Sequence, residues 1–201
     1  RYERDHLNLT LSKMTMSNTI VNFLKDSLHI ASDVGRLQKL KLDVYRDKGL
    51  PDDLRHKFLY AKLLKELPYK ISLKKLEIED SQVVYEEEMK NRAKAGQLTF
   101  EHISGRINNI SNLPDRSKKM EILLDSKLMG EGPFSLNWSF DVQDPHQRFL
   151  ASGSLDSFNT ERLTDFLRPN LGVSTEGTIQ KMYFTISGDK HVATGDVKMR
   201  Y

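Results

Sequence analysis

Apolar and polar residues alternate over most of this chain. In the clearest run, Phe134, Leu136, Trp138, Phe140 and Val142 are separated by single polar residues. A period of two places successive side chains on opposite faces of a strand, so each such run predicts a strand with one apolar face. The same alternation recurs at 7–11, 40–44, 71–73, 76–78, 182–186 and 197–201.

The alternation also predicts the type of sheet. Strands of a parallel sheet that is buried on both faces would read as continuous apolar runs, and such runs do not dominate here. We therefore expect a mainly β fold: a long, curved antiparallel sheet of about ten to twelve strands, covered on one side only.

Two segments show helical spacing instead. Residues 52–66 place Leu54, Phe58, Ala61 and Leu64 on one helical face, with Pro51 before the segment and Pro68 after it. Residues 159–167 predict a second short helix, which starts at an Asn159 or Thr160 cap and ends before Pro169. Turn residues at 130–133, 144–145 and 187–189 predict hairpin loops, and 90–96 is a polar stretch that predicts a loop between strands.

An internal repeat aligns residues 11–23 with residues 73–85 without gaps. Both copies share the pattern Leu-x-Lys, an apolar-x-apolar triplet, a polar pair, and a valine two residues before an aromatic residue. The polar pair is Asn18-Thr19 in one copy and Asp80-Ser81 in the other. The apolar positions change phase once, which requires a bulge or bend in a strand. The polar pairs suit a tight reversal into a second strand. The sequence thus predicts residues 1–201 to be one β-rich segment built of repeated hairpins.

Composition narrows the possible functions. The chain has 201 residues, 31 basic against 28 acidic, and no cysteine. The charges are interspersed, which argues against nucleic acid as a partner. Without cysteine there is no disulfide, thiolate metal site or cysteine nucleophile, and no apolar run is long enough for a membrane helix. The first residue is Arg1 and the last, Tyr201, falls within an alternating run, so we expect a piece of a longer chain.

Catalytic and metal-binding signatures are weak. Glu86-Glu87-Glu88 suits either a cation site or a solvated strand end, and we favour the strand end. Ser152-Gly153-Ser154 does not match a nucleophile elbow, and Gly130 and Gly132 read as a turn. The histidines lack the close spacing of metal ligands, so we expect no metal, no cofactor and no enzymatic activity. They are His6, His29, His56, His102, His146 and His191.

Five stretches of the chain resemble the periplasmic region of AsmA-like proteins, which are related to the TamB group. The resemblance covers residues 36–201 and rests on the order of segments. The stretches are KLKLDVYRDKGLPDD, LPYKISLKKLEIEDSQVVYEEE, LTFEHISGRINNISN, GEGPFSLNWSFDVQDPHQRFLASGSLDSFNTERL and GTIQKMYFTISGDKHVATGDVKMRY.

This resemblance implies a segment of a bridge-like lipid transporter of the repeating β-groove type, active in outer-membrane biogenesis. Such proteins lie in the periplasm and are anchored in the inner membrane, here through a segment outside this chain. Their sheet forms an apolar trough for phospholipid acyl chains, so the implied partners are phospholipids or other acyl-chain lipids, together with other envelope proteins. Membrane contact would run only through segments outside this chain.

The apolar face has two interpretations that the sequence leaves open. The run with Phe134, Trp138 and Phe140 suits a ligand groove, but it equally suits a core strand under a helix. Two helices are few for so many strands, which favours an open face. The competing function is a structural or protein-interaction module with a closed core, and a hydrolase is the weakest candidate. The predicted groove residues are Ile122, Leu124, Leu136, Trp138, Phe140, Phe184 and Ile186.

Overall fold

The chain forms one large open sheet of ten strands with two short helices. The computed structural model describes residues 2–24, 27–55, 58–90, 94–114 and 118–201. Its strands are β1 (Asp5–Ser17), β2 (Ile20–Leu24), β3 (Ser27–Asp47), β4 (Lys70–Glu88), β5 (Gly96–Ser111), β6 (Met120–Leu128), β7 (Gly132–Phe140), β8 (Phe149–Asn159), β9 (Thr178–Gly188) and β10 (Ala193–Arg200). The helices are α1 (Tyr60–Lys65) and α2 (Thr164–Leu171), with a 3₁₀ turn at Thr160–Leu163. The predicted mainly β fold is confirmed.

The sheet is mixed, with one parallel pair among antiparallel neighbours. Its order is β1-β3-β4-β5-β6-β7-β8-β9-β10, and β2 pairs with the same strand, β3, as β1 does. β3 and β4 run parallel, so the prediction of a wholly antiparallel sheet was wrong at this pair. Parallel neighbours need a long connection, because the chain must return to the end of the sheet at which the first of the two strands began. The segment 48–69, which carries α1, provides that connection.

The first helix is shorter than predicted. α1 spans only Tyr60–Lys65, and residues 51–55 are not helical. The Glu3 amide donates to the Pro51 carbonyl at 2.8 Å, and the Asp53 carboxylate pairs with Arg4 at 3.3 Å. These contacts hold the predicted first turn against the start of the chain, so the helix begins later. Residues 56 and 57, inside the predicted helix, lie outside the described residues.

The second helix runs further than predicted. The Asn159 cap is confirmed, because its side chain accepts a hydrogen bond from the Glu161 amide at 3.0 Å. The predicted stop before Pro169 was wrong, since α2 contains that proline and ends at Leu171. Proline removes one helical hydrogen bond, but the next residue, Asn170, is buried against the strand β5. The packing of Asn170 therefore lets the helix continue past Pro169 to Leu171, and Gly172 follows with left-handed backbone.

The predicted loops at 130–133, 144–145 and 187–189 are confirmed as connections between antiparallel neighbours. They join β6 to β7, β7 to β8, and β9 to β10 respectively. The polar stretch 90–96 joins β4 to β5 as predicted, although residues 91–93 lie outside the described residues.

A line of bulges crosses the sheet at the middle of β3, β4 and β5. Lys39, Asp80 and His102 occupy matching places in the register, with φ angles of 52°, 44° and 52°. All three side chains are exposed on the polar face, where His102 Nδ1 lies 2.9 Å from the Asp80 carboxylate. At this line β5 has one residue more than β6 between paired positions. The alternation of side chains therefore changes phase in these strands together.

A second line of polar residues crosses the sheet nearer to β2, with left-handed backbone at its two ends. Asn18 and Asn109 have φ angles of 51° and 60°, and Asp33 and Lys74 lie between them in the register. Lys74 Nζ approaches the Asp33 carboxylate at 2.6 Å, and the Asn18 amide donates to the same carboxylate at 2.8 Å. Polar side chains thus connect these positions from strand to strand.

The bulges account for the internal repeat. Its matched polar residues Asn18 and Asp80 both have left-handed backbone, as a shared local structure requires. The predicted reversals at Asn18-Thr19 and Asp80-Ser81 were wrong, because β4 continues through Asp80, and β1 and β2 lie end to end along β3. Asparagine and aspartate tolerate left-handed backbone in a bulge as well as in a turn. The repeat therefore marks strand bulges and not hairpins.

Candidate functional site

One face of the sheet is apolar across nine strands. Directly paired residues of neighbouring strands point to the same face, so the register traces rows of side chains across the sheet. The first row consists of Met14, Leu37, Ile78, Gly105, Leu124, Leu136, Gly153, Phe184 and Val197. The second row consists of Met16, Gly35, Leu76, Ile107, Ile122, Trp138, Ala151, Ile186 and Gly195. We call the face that carries both rows the apolar face.

Glycine has a specific use in the first row. A Cβ at Gly153 would stand 2.6 Å from the Phe184 ring and 2.2 Å from the Ser135 carbonyl oxygen. The missing side chain lets Phe184 lie across β8 and stack on Phe134, with ring centroids 5.9 Å apart. The middle of the apolar face is thus formed by the stacked rings of Phe134 and Phe184, and the ring of Phe184 lies over Gly153.

The first helix covers one end of the apolar face. Ala61 of α1 packs into a buried cluster with Ile122, Phe140 and Val142. Tyr60 meets Trp138 edge to face at a centroid distance of 5.3 Å. The Trp138 indole N–H is buried here, and none of the described residues accepts a hydrogen bond from it. A small apolar cavity of about 80 Å³ remains between α1 and the ring of Phe149.

The second helix covers the opposite end of the same strands. Leu163 of the 3₁₀ turn packs on a buried cluster of Leu128, Leu155, Phe158 and Ile179. Phe166 of α2 contacts Tyr85 at a centroid distance of 6.1 Å. The Asn170 side chain is buried beside Gly96, and its amide atoms have no hydrogen-bond partner within the described part of the chain. The two helices therefore bracket the apolar face and leave its central rows between them.

Exposure rises from the middle of the apolar face toward both edges of the sheet. At one edge, Met14 is 52% exposed and Phe23 of β2 is 78% exposed. At the other edge, Val197 is 64% exposed. Contiguous exposed apolar side chains of this kind mark interaction surfaces. The sheet does not close on itself, so these rows stay open to an apolar ligand.

The structure brings all seven predicted groove residues onto the apolar face. Their cover differs: Ile122 and Phe140 are buried beneath α1, whereas Ile186 is 40% exposed at the open side. The other four are partly buried and lie between these extremes. They are Leu124, Leu136, Trp138 and Phe184.

Sequence reasoning missed the half of the face that β1 to β5 contribute. Met14, Leu37 and Ile78 continue the first row, and Leu76 and Ile107 continue the second. The alternation in these strands changes phase at the bulges, so a strict period of two does not show which residues share a face. The register across the sheet supplies the missing information.

The opposite face is polar and carries cross-strand ion pairs. Arg36 of β3 binds Glu77 of β4 at 2.7 Å and Glu79 at 2.9 Å. Hydrogen bonds from Lys75 and Arg36 hold the pKa of the Glu77 carboxyl below its usual value. The continuous apolar rows thus lie on one side of the sheet and these ion pairs on the other.

The residues considered for catalysis have structural partners. Glu86, Glu87 and Glu88 accept hydrogen bonds from Gln97, Tyr85 and Tyr45 respectively, as expected of a strand end. Ser152 and Ser154 lie within the strand β8. Gly130 lies in the turn between β6 and β7, and Gly132 begins β7. Neither arrangement is a strand-to-helix turn of the kind a nucleophile elbow requires.

The described residues contain no group of three or more histidines and carboxylates placed to hold a metal ion. His56 lies outside the described residues. In the part of the chain that the structure covers, no helix is long and apolar enough to cross a membrane.

No protein-family model matches the chain, and no curated protein sequence is significantly similar to it.

Proposed function

We propose that this chain is a non-catalytic lipid-binding or lipid-conducting segment of an AsmA-like envelope protein, located in the periplasm and anchored in the inner membrane through a segment outside this chain. The observation that carries the proposal is the apolar face, whose rows continue through nine paired strands. Neighbouring strands are about 4.8 Å apart, so nine strands span roughly 38 Å. Acyl chains of a phospholipid would lie along the rows, with head groups at the open rim.

Desolvation provides the binding energy. Each Å² of apolar surface removed from water contributes about 25 cal/mol, and acyl chains would cover exposed side chains such as Met14 and Val197. On the polar face, Arg36 and Lys75 are already engaged in ion pairs with Glu77 and Glu79, so the proposal assigns these charges no part in binding. Shape and burial, without a reacting group, suffice for this function.

Trp138 makes the proposal testable. It is the only tryptophan in the chain and lies on the apolar face. Phosphatidylcholine with brominated acyl chains should quench its fluorescence when added to delipidated protein, and native mass spectra of purified protein should retain lipid. If neither quenching nor bound lipid is found, the proposal fails.

Neighbouring residues of β7 supply a matched pair of variants. Leu136 points to the apolar face and Asn137, one residue on, to the polar face. Leu136→Asp places a charge among the acyl chains and should abolish quenching. Asn137→Asp adds the same charge on the other side and should leave quenching unchanged. Circular dichroism of both variants controls for folding.

A structural or protein-interaction module is the second candidate, favoured by the exposed edge strand β10. All eight of its residues are exposed, and β9 is its only paired neighbour among the described strands, so its outer side suits the addition of a strand. Photo-crosslinkers at positions beside Trp138 separate the two functions. Crosslinks to lipid support the groove, whereas crosslinks to protein along β10 alone support the module.

A further inference from the structure

The strand β10 forms one edge of the sheet. Among the described strands it pairs only with β9, and all eight of its residues are exposed. The backbone groups along such an edge are a template for another strand. Val197 and Met199 lie on the apolar face at this edge and are 64% and 51% exposed. An added strand would therefore also cover apolar side chains.

The hairpin between β9 and β10 shows which backbone groups of β10 point outward. The Asp189 amide donates to the Val192 carbonyl at 2.8 Å, so these two residues form a hydrogen-bonded pair. Hydrogen-bonded and non-hydrogen-bonded pairs alternate along an antiparallel ladder. Counting from Val192, the register places Val197 in a non-hydrogen-bonded pair with β9. The N–H and C=O of Val197 therefore point away from β9, as do those of Gly195 and Met199.

The polar side of β10 carries an acid and a base on either side of Val197. They are Asp196 and Lys198, and within the described residues no ion pair involves either of them. In an antiparallel pairing of two copies of β10 about a two-fold axis at Val197, residues equally far from Val197 face each other. Asp196 of each copy then lies directly opposite Lys198 of the other, and opposite charges in such positions stabilise the pair.

The apolar side of β10 fits the same arrangement. Gly195 faces Met199 of the second copy, and Ala193 faces Tyr201, which lies just beyond the strand. Each large side chain thus meets a small residue, as close packing requires. The two-fold axis is perpendicular to the sheet, so the apolar faces of both copies lie on the same side and their rows join.

Other alignments bring like charges together or bring no charges together. Moving the axis by one residue sets Asp196 against Asp196 or Lys198 against Lys198, and like charges directly opposite destabilise a sheet. At the other edge, β1 has only one charged residue, Lys13, between residues 8 and 17. Self-pairing along that part of β1 gains no attraction between charges.

We propose that two copies of this chain associate through β10, antiparallel about a two-fold axis at Val197, and form one continuous sheet. This assigns a partner to the edge on which the second candidate function rests, and the pairing needs no lipid. Such an interface is isologous, with the same strand used by both copies. A single strand pair is smaller than a standard dimer interface, so we expect a Kd of about 1–100 µM.

Sedimentation velocity of delipidated protein tests the pairing. The wild type should change from monomer to dimer between about 1 and 300 µM. Asp196→Lys or Lys198→Asp alone should raise the Kd about tenfold or more, because each sets like charges opposite each other at two places. The double variant Asp196→Lys with Lys198→Asp exchanges the two charges and should restore the Kd to within about threefold of the wild type.

Single cysteines report the register, because the chain has no cysteine of its own. Val197→Cys should form a disulfide-linked dimer on mild oxidation, since directly opposite residues of a hydrogen-bonded pair lie about 5.5 Å apart. Ala193→Cys lies on the same face and edge, but its two copies would be about 27 Å apart. It should therefore stay unlinked.

The proposal is overturned if the wild type stays monomeric at about 300 µM, if the charge reversals leave the dimer intact, or if both cysteine variants link equally. Circular dichroism of each variant controls for folding. Quenching of Trp138 by brominated lipid is measured separately. A monomer that is quenched refutes the dimer and keeps the lipid proposal, whereas an edge-paired dimer that is not quenched does the reverse.

Discussion

The same substitution at two phenylalanines should separate the packed part of the sheet from its open part. Phe158 is fully buried, at 0% exposed, in the cluster beneath the 3₁₀ turn, and its ring fills the space where a side chain on Gly132 would stand. Phe23 lies at the far end of β2 and is 78% exposed. Phe158→Ala removes a buried ring and leaves a cavity, which costs about 3–5 kcal/mol of folding free energy. Phe23→Ala should change stability by about 0.5 kcal/mol or less.

Urea unfolding followed by Trp138 fluorescence measures both effects. A domain of this size is typically stable by about 5–15 kcal/mol, so Phe158→Ala should lower the urea midpoint strongly. An equal loss from Phe23→Ala would refute the reasoning, because it would mean that the edge of the apolar face is packed in solution. A loss of less than about 1 kcal/mol from Phe158→Ala would likewise contradict a buried cluster under the helix.

Two further predictions concern Tyr85 and Asp80. Burial and the hydrogen bond to Glu87 raise the pKa of Tyr85 to about 12 from 10.0. The neutral phenol is thus favoured in the folded state, so its contribution to stability is present below pH 10 and is lost between pH 10 and 12. The difference in unfolding free energy between wild type and Tyr85→Phe should change over that window, and a constant difference would contradict the prediction. At Asp80, with φ 44°, Val should be less stable than Gly by about 1 kcal/mol in urea unfolding. Both variants lose the contact with His102, so equal stabilities would argue against backbone strain.

Local pattern was enough to predict most of the strands and the face of several. The run from Phe134 to Val142 alternates without interruption, and its apolar residues through Phe140 lie on one face as expected. The parallel pairing of β3 with β4 could not be read in this way. It depends on where the segment 48–69 returns the chain, and nothing in the alternation of either strand records its neighbour's direction.

The helices were harder to bound because their limits depend on contacts distant in sequence. The start of α1 is displaced by ties between residues 51–55 and the beginning of the chain. The end of α2 passes Pro169 because Asn170 packs beside Gly96. Local helix signals describe neither contact. The candidate site was predicted only in β6, β7 and β9, because no bulge interrupts the alternation of the residues used there. It was missed in β1 to β5, because a phase change in these strands depends on how neighbouring strands pair.

The line of bulges at Lys39, Asp80 and His102 explains how an interrupted alternation still yields one continuous apolar face. An added residue in a single strand would turn every later side chain to the other side of the sheet relative to its neighbours. Here the left-handed residues Lys39, Asp80 and His102 stand side by side, so the strands change phase together and Val83 remains level with Leu42 and Phe100. The phase change visible in each strand is therefore not a defect in the pattern. Because the strands change phase together, the apolar rows run unbroken beneath both helices and out to the open edges.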